Sequence, residues 1–545
     1  MEQLEDRCVP AVDPILEWNG IALEAVRNDY ALGHVPDQGG PTAASRALAI
    51  VHLAMFDALN SVTPKFTPYL IQARRTHGAS RQAAVAQAAH DTLVALFPQQ
   101  TAMFDAALDV TLARVPDGRP EDRGVMVGRF VADAILHARA NDNSDLNIPH
   151  TPIPGPGHHQ EDPLHPGQGY LSPKWGRVTP FAIPSVEDPR FRPLPPPPMD
   201  SMAYAMAFTE VAAMGGDGVT TPTFRTREQT LIGLYWGYDG SPGIGVPPRL
   251  YNQIARVVAD QQGNTVAENA RLFALLNVAM ADGGIVCWDA KYDHDFWRPI
   301  VAIRNADIDG NPFTQQMANW APLGAPRSNA PGETNFTPPF PAYTSGHATF
   351  GAASFRILAN FYHRDDIRFT FISDELNGVT RDQDGSIRPL WPRTFTSFSQ
   401  AAEENGQSRI YLGIHWSFDK TEGIRTGNAI ADYTFNNFLR PLRGGGHRPL
   451  PSVAATASAP DAILAQSLAA ASSGVTDEVP EELPGAVPPA VNPIPGDRDD
   501  PKEESHPLTH AGGGLGQQSR PGTRASVRDL VFSARDLVER LGELV

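Results

Sequence analysis

Cysteine is nearly absent: Cys8 and Cys287 are the only two in 545 residues, too few for a disulfide framework or a cysteine-ligated metal site. Basic residues are also in short supply, 44 Lys and Arg against 61 Asp and Glu, for a formal net charge of -17. That balance excludes a nucleic-acid partner of the ordinary electrostatic kind, and it makes any local gathering of cations a place to look for a bound anion. No unbroken run of 18 apolar residues occurs, so no membrane span is expected. The opening MEQLEDRCVPAV lacks the basic start and apolar stretch of a secretory signal. No haem, flavin or nucleotide-binding motif is present either.

What remains is a chain of ordinary hydrophobicity, 41% apolar, long enough for two or three domains with a substantial core. Apolar residues recur at helical spacing over 42–62, 80–98 and 122–141, and nothing there alternates like a strand. Residues 14–141 are therefore expected to form an N-terminal helical bundle after a tail at 1–13. Residues 142–198 are rich in Pro, Gly and His and end in a run of prolines, which reads as a long connection of the kind that lines a site. His150, His158, His159 and His165 fall within it, at spacings that fit no standard metal-ligand pattern. Helical patterning resumes at 199–215, 226–238, 247–262, 265–290, 346–362, 396–412 and 421–439, giving a second helical bundle over 199–440. The expected class is all-α. The segments DIDGNP (307–312) and RDQDGS (381–386) lack the full calcium loop and read as turns. Residues 441–524 are Pro/Ala-rich and aperiodic, as in a disordered linker, and 525–545 carries one apolar helical stripe. That last helix is expected to dock on the body, on a partner or on a second copy, so a homo-oligomer is among the expectations.

Three segments carry the chemistry. In KYDHDFWRPI (291–300), Lys291 and Arg298 are seven residues apart, close to two helical turns, so both are expected on one face before a kink or stop at Pro299. In FPAYTSGHATFG (340–351), Ser345 or one of its neighbours is placed to cap a helix whose first amides, with Gly346 permitting close approach, form an anion cradle beside His347. In SRIYLGIHWSFDK (408–420), Arg409 and His415 are six apart, and Gly413 between them is a candidate helix terminator that folds the two side chains together. Asp419, four beyond His415, is placed to accept its second ring N–H and fix the tautomer. Jointly, three cations and a helix start suit a tetrahedral oxyanion, with one histidine to bond its central atom and another to handle protons.

This pattern, K-x6-R-P, then SGH, then S-R-x5-H-x3-D, resembles the signature shared by vanadium haloperoxidases and the type 2 phosphatidic acid phosphatases. The one departure is Thr344, where that signature usually has proline; it alters the turn and removes no ligand. The similarity extends over roughly 14–440, with stretches 44–58, 234–259, 268–285, 340–351 and 372–382 resembling vanadium chloroperoxidases of the fungal type. The resemblance implies two four-helix bundles with vanadate held in the second as a bare inorganic cofactor, and hydrogen peroxide and halide as substrates. It implies His415 as the axial ligand to vanadium, with Lys291, Arg298, Ser345, Gly346 and Arg409 on the oxyanion oxygens. His347 takes the acid–base role, Lys291 also polarises the bound oxidant, and Asp239 partners Arg409. Trp288 and Phe340 match the aromatic positions on the halide side, where algal bromoperoxidases carry polar or basic residues, so chloride or bromide oxidation is implied. The rival is a soluble acid phosphatase using the same pocket, with His415 forming a phosphohistidine and His347 protonating the leaving group. The 60 residues from 348 to 407 and the two aromatics favour the peroxidase. The LEDRCVP stretch resembles tags near the start of exported proteins, which points to an extracytoplasmic location by an undefined route.

Overall fold

The computed structural model describes residues 12–442 apart from residue 75. Most of the expected N-terminal tail, nearly all of the linker and the C-terminal helix lie outside the described residues. Within them the chain forms thirteen α-helices and one pair of three-residue strands, an all-α fold. The first group is α1 (Pro14–Asn28), α2 (Gly40–Val62), α3 (Arg81–Leu96), α4 (Thr101–Leu112) and α5 (Arg119–Arg139). After a connection whose only helix is a single turn, Trp175–Arg177, come α6 (Met202–Met214), α7 (Arg227–Tyr235), α8 (Pro247–Gln262) and α9 (Val266–His294). The chain finishes with α10 (Pro299–Arg304), α11 (Gly346–Tyr362), α12 (Phe398–Tyr411) and α13 (Ser417–Asn437). Strands β1 (Phe369–Phe371) and β2 (Arg393–Phe395) pair antiparallel between α11 and α12, Phe369 opposite Phe395, and were not expected.

The helix starts follow local chemistry. Asp13 caps α1 by accepting from Ile15 N and Leu16 N, Thr226 and Thr265 close capping boxes with Gln229 and Glu268, and α8 opens on a Pro-Pro pair. The centre is α9, which packs against α2, α11 and α13. Both α2 and α9 reach the length and mean hydropathy of a membrane-crossing helix, 1.3 and 1.5, although neither is an unbroken apolar run. Their apolar windows are 89% and 100% buried among the other helices, as suits helices that are apolar all round.

One hydrophobic cluster, from Ile15 to Leu439, draws on both groups of helices. A buried polar chain also crosses between them: Leu48 O accepts from His52 Nδ1 at 2.7 Å, His52 Nε2 accepts from Asn19 at 2.9 Å, and Asn19, Asn252 and Asn277 continue it onto α8 and α9. The Pro/Gly-rich connection is fastened to α9 by Asp282, whose carboxylate accepts the amides of Phe181, Ala182 and Ile183 at 2.6–2.9 Å. Farther back along the connection, Leu171 O accepts from Trp288 Nε1 and Tyr292 Oη, so this segment does wall the site.

Candidate active site

The three motif segments meet at one end of α9. Lys291 lies in its last turn and is fully buried. The expectation that Lys291 and Arg298 share one helix face is corrected: α9 stops at His294 because Asp295 adopts a left-handed φ of 48°, and Arg298 instead caps α10. The reversal still brings Arg298 to the same place. Ser345 caps α11, its hydroxyl accepting from Ala348 N, so the positive end of that helix faces the cluster. Gly413, at φ 74°, ends α12 and turns the chain so that Arg409 in the last turn and His415 before α13 converge. A Cβ at Gly413 would stand 2.5 Å from Gly215 O, so only glycine fits this turn.

A cavity of about 330 Å³ opens here, lined among others by Asp239, Trp288, Phe340, Gly346, His347, Arg409 and His415. His415 Nδ1 donates to Asp419 Oδ2 at 2.8 Å, as the spacing led one to expect, so Nε2 holds the lone pair. Arg298 Nη1 donates to that lone pair at 3.1 Å and to Ile414 O at 2.7 Å, while its Nε holds Phe340 O at 2.8 Å. Arg409 Nη2 lies 2.7 and 2.9 Å from the two oxygens of Asp239. His347 Nε2 is 2.6 Å from Gly237 O, and because a carbonyl only accepts, Nε2 carries the proton and Nδ1 is left as the base nitrogen. The indole of Trp288 and ring of Phe340 lie 4.9 Å apart, with Lys291 Nζ 5.6 and 5.0 Å from their centres.

Charge in this pocket is one-sided. Lys291, Arg298 and Arg409 face Asp239, and Asp419, whose carboxyl burial pushes up to about 7. Burial pulls the Lys291 ammonium down to about 7 and the Arg298 guanidinium to about 9. Burial, then the neighbouring cations, hold His347 and His415 well below the usual imidazole range, so both are neutral at neutral pH. Arg298 Nη2 and Arg409 Nε and Nη1 are buried donors without a partner. Unpaired buried donors on cations are costly, and an oxyanion with several acceptor oxygens is the group that satisfies them. The residues therefore fit such an anion. One detail differs from expectation: Lys291 Nζ already donates to Pro341 O (2.9 Å), Ala342 O (3.0 Å) and Thr344 O, using all three of its protons. In this arrangement it staples the 341–344 turn and lends the pocket its charge from behind the wall.

Several supporting residues had no signal of their own in the sequence. Tyr251 Oη and Asn405 Nδ2 both donate to His347 O, at 3.0 and 2.7 Å, fixing the first turn of α11. Glu375 accepts from Tyr238 N, next to Asp239. Of the connection's histidines, His158 pairs with Asp295 and His165 with Asp162.

Fold and pocket together define an all-helical protein with buried cations, several of their donors unpaired, beside a carboxylate-oriented histidine. Two family models match it, one described as the vanadium chloroperoxidase N-terminal domain over residues 11–169, the other as the second helical-bundle domain over residues 271–444. The vanadium chloroperoxidase of Curvularia inaequalis is 33% identical over 494 residues, spanning 74% of this chain and 78% of that protein. Among solved structures, a bacterial vanadium-dependent iodoperoxidase superposes with a TM-score of 0.63 at 23% identity, over 78% of this chain and 97% of its own. A bacterial vanadium-dependent chloroperoxidase in its apo form gives 0.56 at 16% identity, over 73% and 94%. The chain belongs to the vanadium chloroperoxidase family, and its class is that of the vanadium haloperoxidases.

Proposed function

We propose that this chain binds vanadate in the cavity beside His415 and uses hydrogen peroxide to oxidise halide, chloride included, to hypohalous acid, with water as the second product. The observation that carries the proposal is the set of unpaired buried donors on Arg298, whose Nη1 reaches His415 Nε2, and on Arg409, which lines the same cavity as His415. When bound, vanadate supplies Lewis acidity that makes peroxide oxygen open to attack by halide. Everything else is done by the chain. His415 Nε2 is the ligand, presented by Asp419 through the 2.8 Å bond to Nδ1. Arg298, Arg409 and the Gly346 amide hold the anion's oxygens, Ser345 supports them at the helix start, and Lys291 adds charge.

His347 Nδ1, neutral and unbonded, takes the proton of incoming peroxide and returns one to the departing oxygen; the Gly237 carbonyl keeps the other nitrogen out of the exchange. Trp288 and Phe340 give an apolar wall on which a large, weakly hydrated halide rests close to the positive charge of Lys291 and Arg298.

Apoprotein reconstituted with orthovanadate should halogenate monochlorodimedone in the presence of peroxide and halide. His415→Ala should lose vanadate binding, whereas His347→Ala should keep binding and lose turnover by a factor on the order of 10²–10⁴. Hydrolysis of a phosphate ester without vanadate, and no turnover with it, would assign the pocket to a phosphatase instead.

A further inference from the structure

Next to the pocket, Gly237, Tyr238 and Asp239 each serve a different partner. Gly237 O accepts from His347, and Asp239 holds Arg409. Between them Tyr238 stands at φ 53°, a left-handed conformation that a bulky side chain rarely adopts and that surrounding contacts must enforce. Its amide donates to Glu375 Oε1 at 3.0 Å. A Cβ on Gly237 would lie 2.7 Å from the same oxygen, so glycine is what admits the carboxylate to this position. Glu375 is in turn gripped by Arg388, Nη1 to Oε2 at 2.5 Å, with side-chain exposures of 0% and 2%, and by the hydroxyl of Ser328. An isolated carboxylate this deep would lose its charge. Paired, it stays an acceptor aimed at one backbone amide.

We propose that the buried Glu375–Arg388 pair is a positioning device: it clamps the Tyr238 amide, so that the Gly237 carbonyl fixes the proton on His347 Nε2 and Asp239 aims Arg409. Its catalytic consequence rests on the acid–base reading of His347, but its structural consequence does not. Neither residue lines the cavity, and neither touches the reacting atoms.

Two variants separate the clamp from a general contribution to stability. Glu375→Asp keeps the charge for Arg388 but withdraws the carboxylate by one methylene, roughly 1.5 Å, from the Tyr238 amide. The double substitution Glu375→Gln with Arg388→Met removes both charges and leaves an amide oxygen facing that N–H; neutral replacement of a buried pair is generally tolerated. The first readout needs no cofactor: histidine ¹⁵N spectra of the vanadate-free protein report which nitrogen of His347 carries the proton. The wild type should show the Nε2–H form alone, the Asp variant a second form, and the double variant the wild-type pattern. In the vanadate-loaded protein kcat should fall at least tenfold in the Asp variant, with halide KM within about threefold, and stay within about threefold in the double variant. A folded Asp variant with the wild-type tautomer and kcat overturns the proposal, as does activity that follows melting temperature across the two. If the wild type lacks peroxidase turnover altogether, the function reading fails while the tautomer comparison still decides the clamp.

Discussion

Asp419 offers a quantitative check on the site. Its Oδ2 accepts from His415 Nδ1 at 2.8 Å and from Trp416 N at 3.1 Å, both fully inside the protein. Replacing Asp419 with Ala leaves the Nδ1–H without an acceptor and frees the ring to turn and to exchange tautomers. Above pH 7, where the Asp419 carboxyl raised to about 7 is ionised, a buried hydrogen bond to a charged group contributes about 1.5–3 kcal/mol. At about 1.4 kcal/mol per tenfold, the Ala variant should bind vanadate between about 10-fold and somewhat over 100-fold more weakly, the range typical when the partner of a ligating histidine is lost. Asp419→Asn keeps an oxygen for the same two donors and loses only the charge, so its loss should sit near the lower end. Calorimetric titration of apoprotein with orthovanadate measures both without requiring turnover. An Ala variant that binds as tightly as the wild type would refute the role given to His415 Nε2, because a ligand whose orientation does not matter is not the ligand.

Other consequences are open to direct measurement. Phe340→His places a polar ring on the halide wall and should lower kcat/KM for chloride at least tenfold more than for bromide, read from monochlorodimedone halogenation with each halide. Gly413→Ala puts a side chain at φ 74° against Gly215 O, so a loss of at least about 1–2 kcal/mol is expected from the backbone alone, seen as a lower Tm with weakened vanadate binding. Burial holds His52 down to about 4, against 6.5 when free. Its contribution to stability is present above pH 6.5 and lost as pH falls towards 4, in total roughly 3 kcal/mol. Asp282, raised to about 6 by burial, works in the opposite sense. Urea unfolding of wild type and His52→Gln at pH 7 and pH 4.5 isolates the histidine: the variant should lose less on acidification.

Much of this was legible before any coordinates. Helices with a clear apolar period came out within a few residues, α8 at its observed bounds, because a one-sided stripe must be buried wherever the helix lies. Helix α4 escaped notice although its sequence is apolar, since it buries only Phe104 and Thr111 and its stripe is weak. Strands β1 and β2 are too short for period-two patterning to register. Lys291, Arg298, His347, Arg409, His415 and Asp419 could be named as candidates because their residue types suit one chemistry at fixed spacings, and the fold brings their segments to one end of α9. The geometry was harder: the distance from Lys291 to Arg298 suits two helical turns, and only the left-handed Asp295 reveals that the helix has ended. Glu375, Arg388 and His52 are single polar residues whose meaning depends in part on Tyr238, Ser328 and Asn19, 137, 60 and 33 residues away, and no local pattern encodes that.

The enclosure of α9 bears on how the protein can be cut and how it melts. A helix whose central apolar stretch has no solvent face offers no surface there at which a boundary can be drawn, and the asparagine chain from Asn19 to Asn277 ties it to the first group of helices besides. A fragment starting near residue 199 would present the α2-facing side of α9 to water and strip the cavity of Tyr30, Gly40 and Leu171; it should be recovered as aggregate, even though it retains Lys291, Arg298, His347, Arg409 and His415. Scanning calorimetry of the whole chain should accordingly record one cooperative endotherm, with the bundles unfolding together.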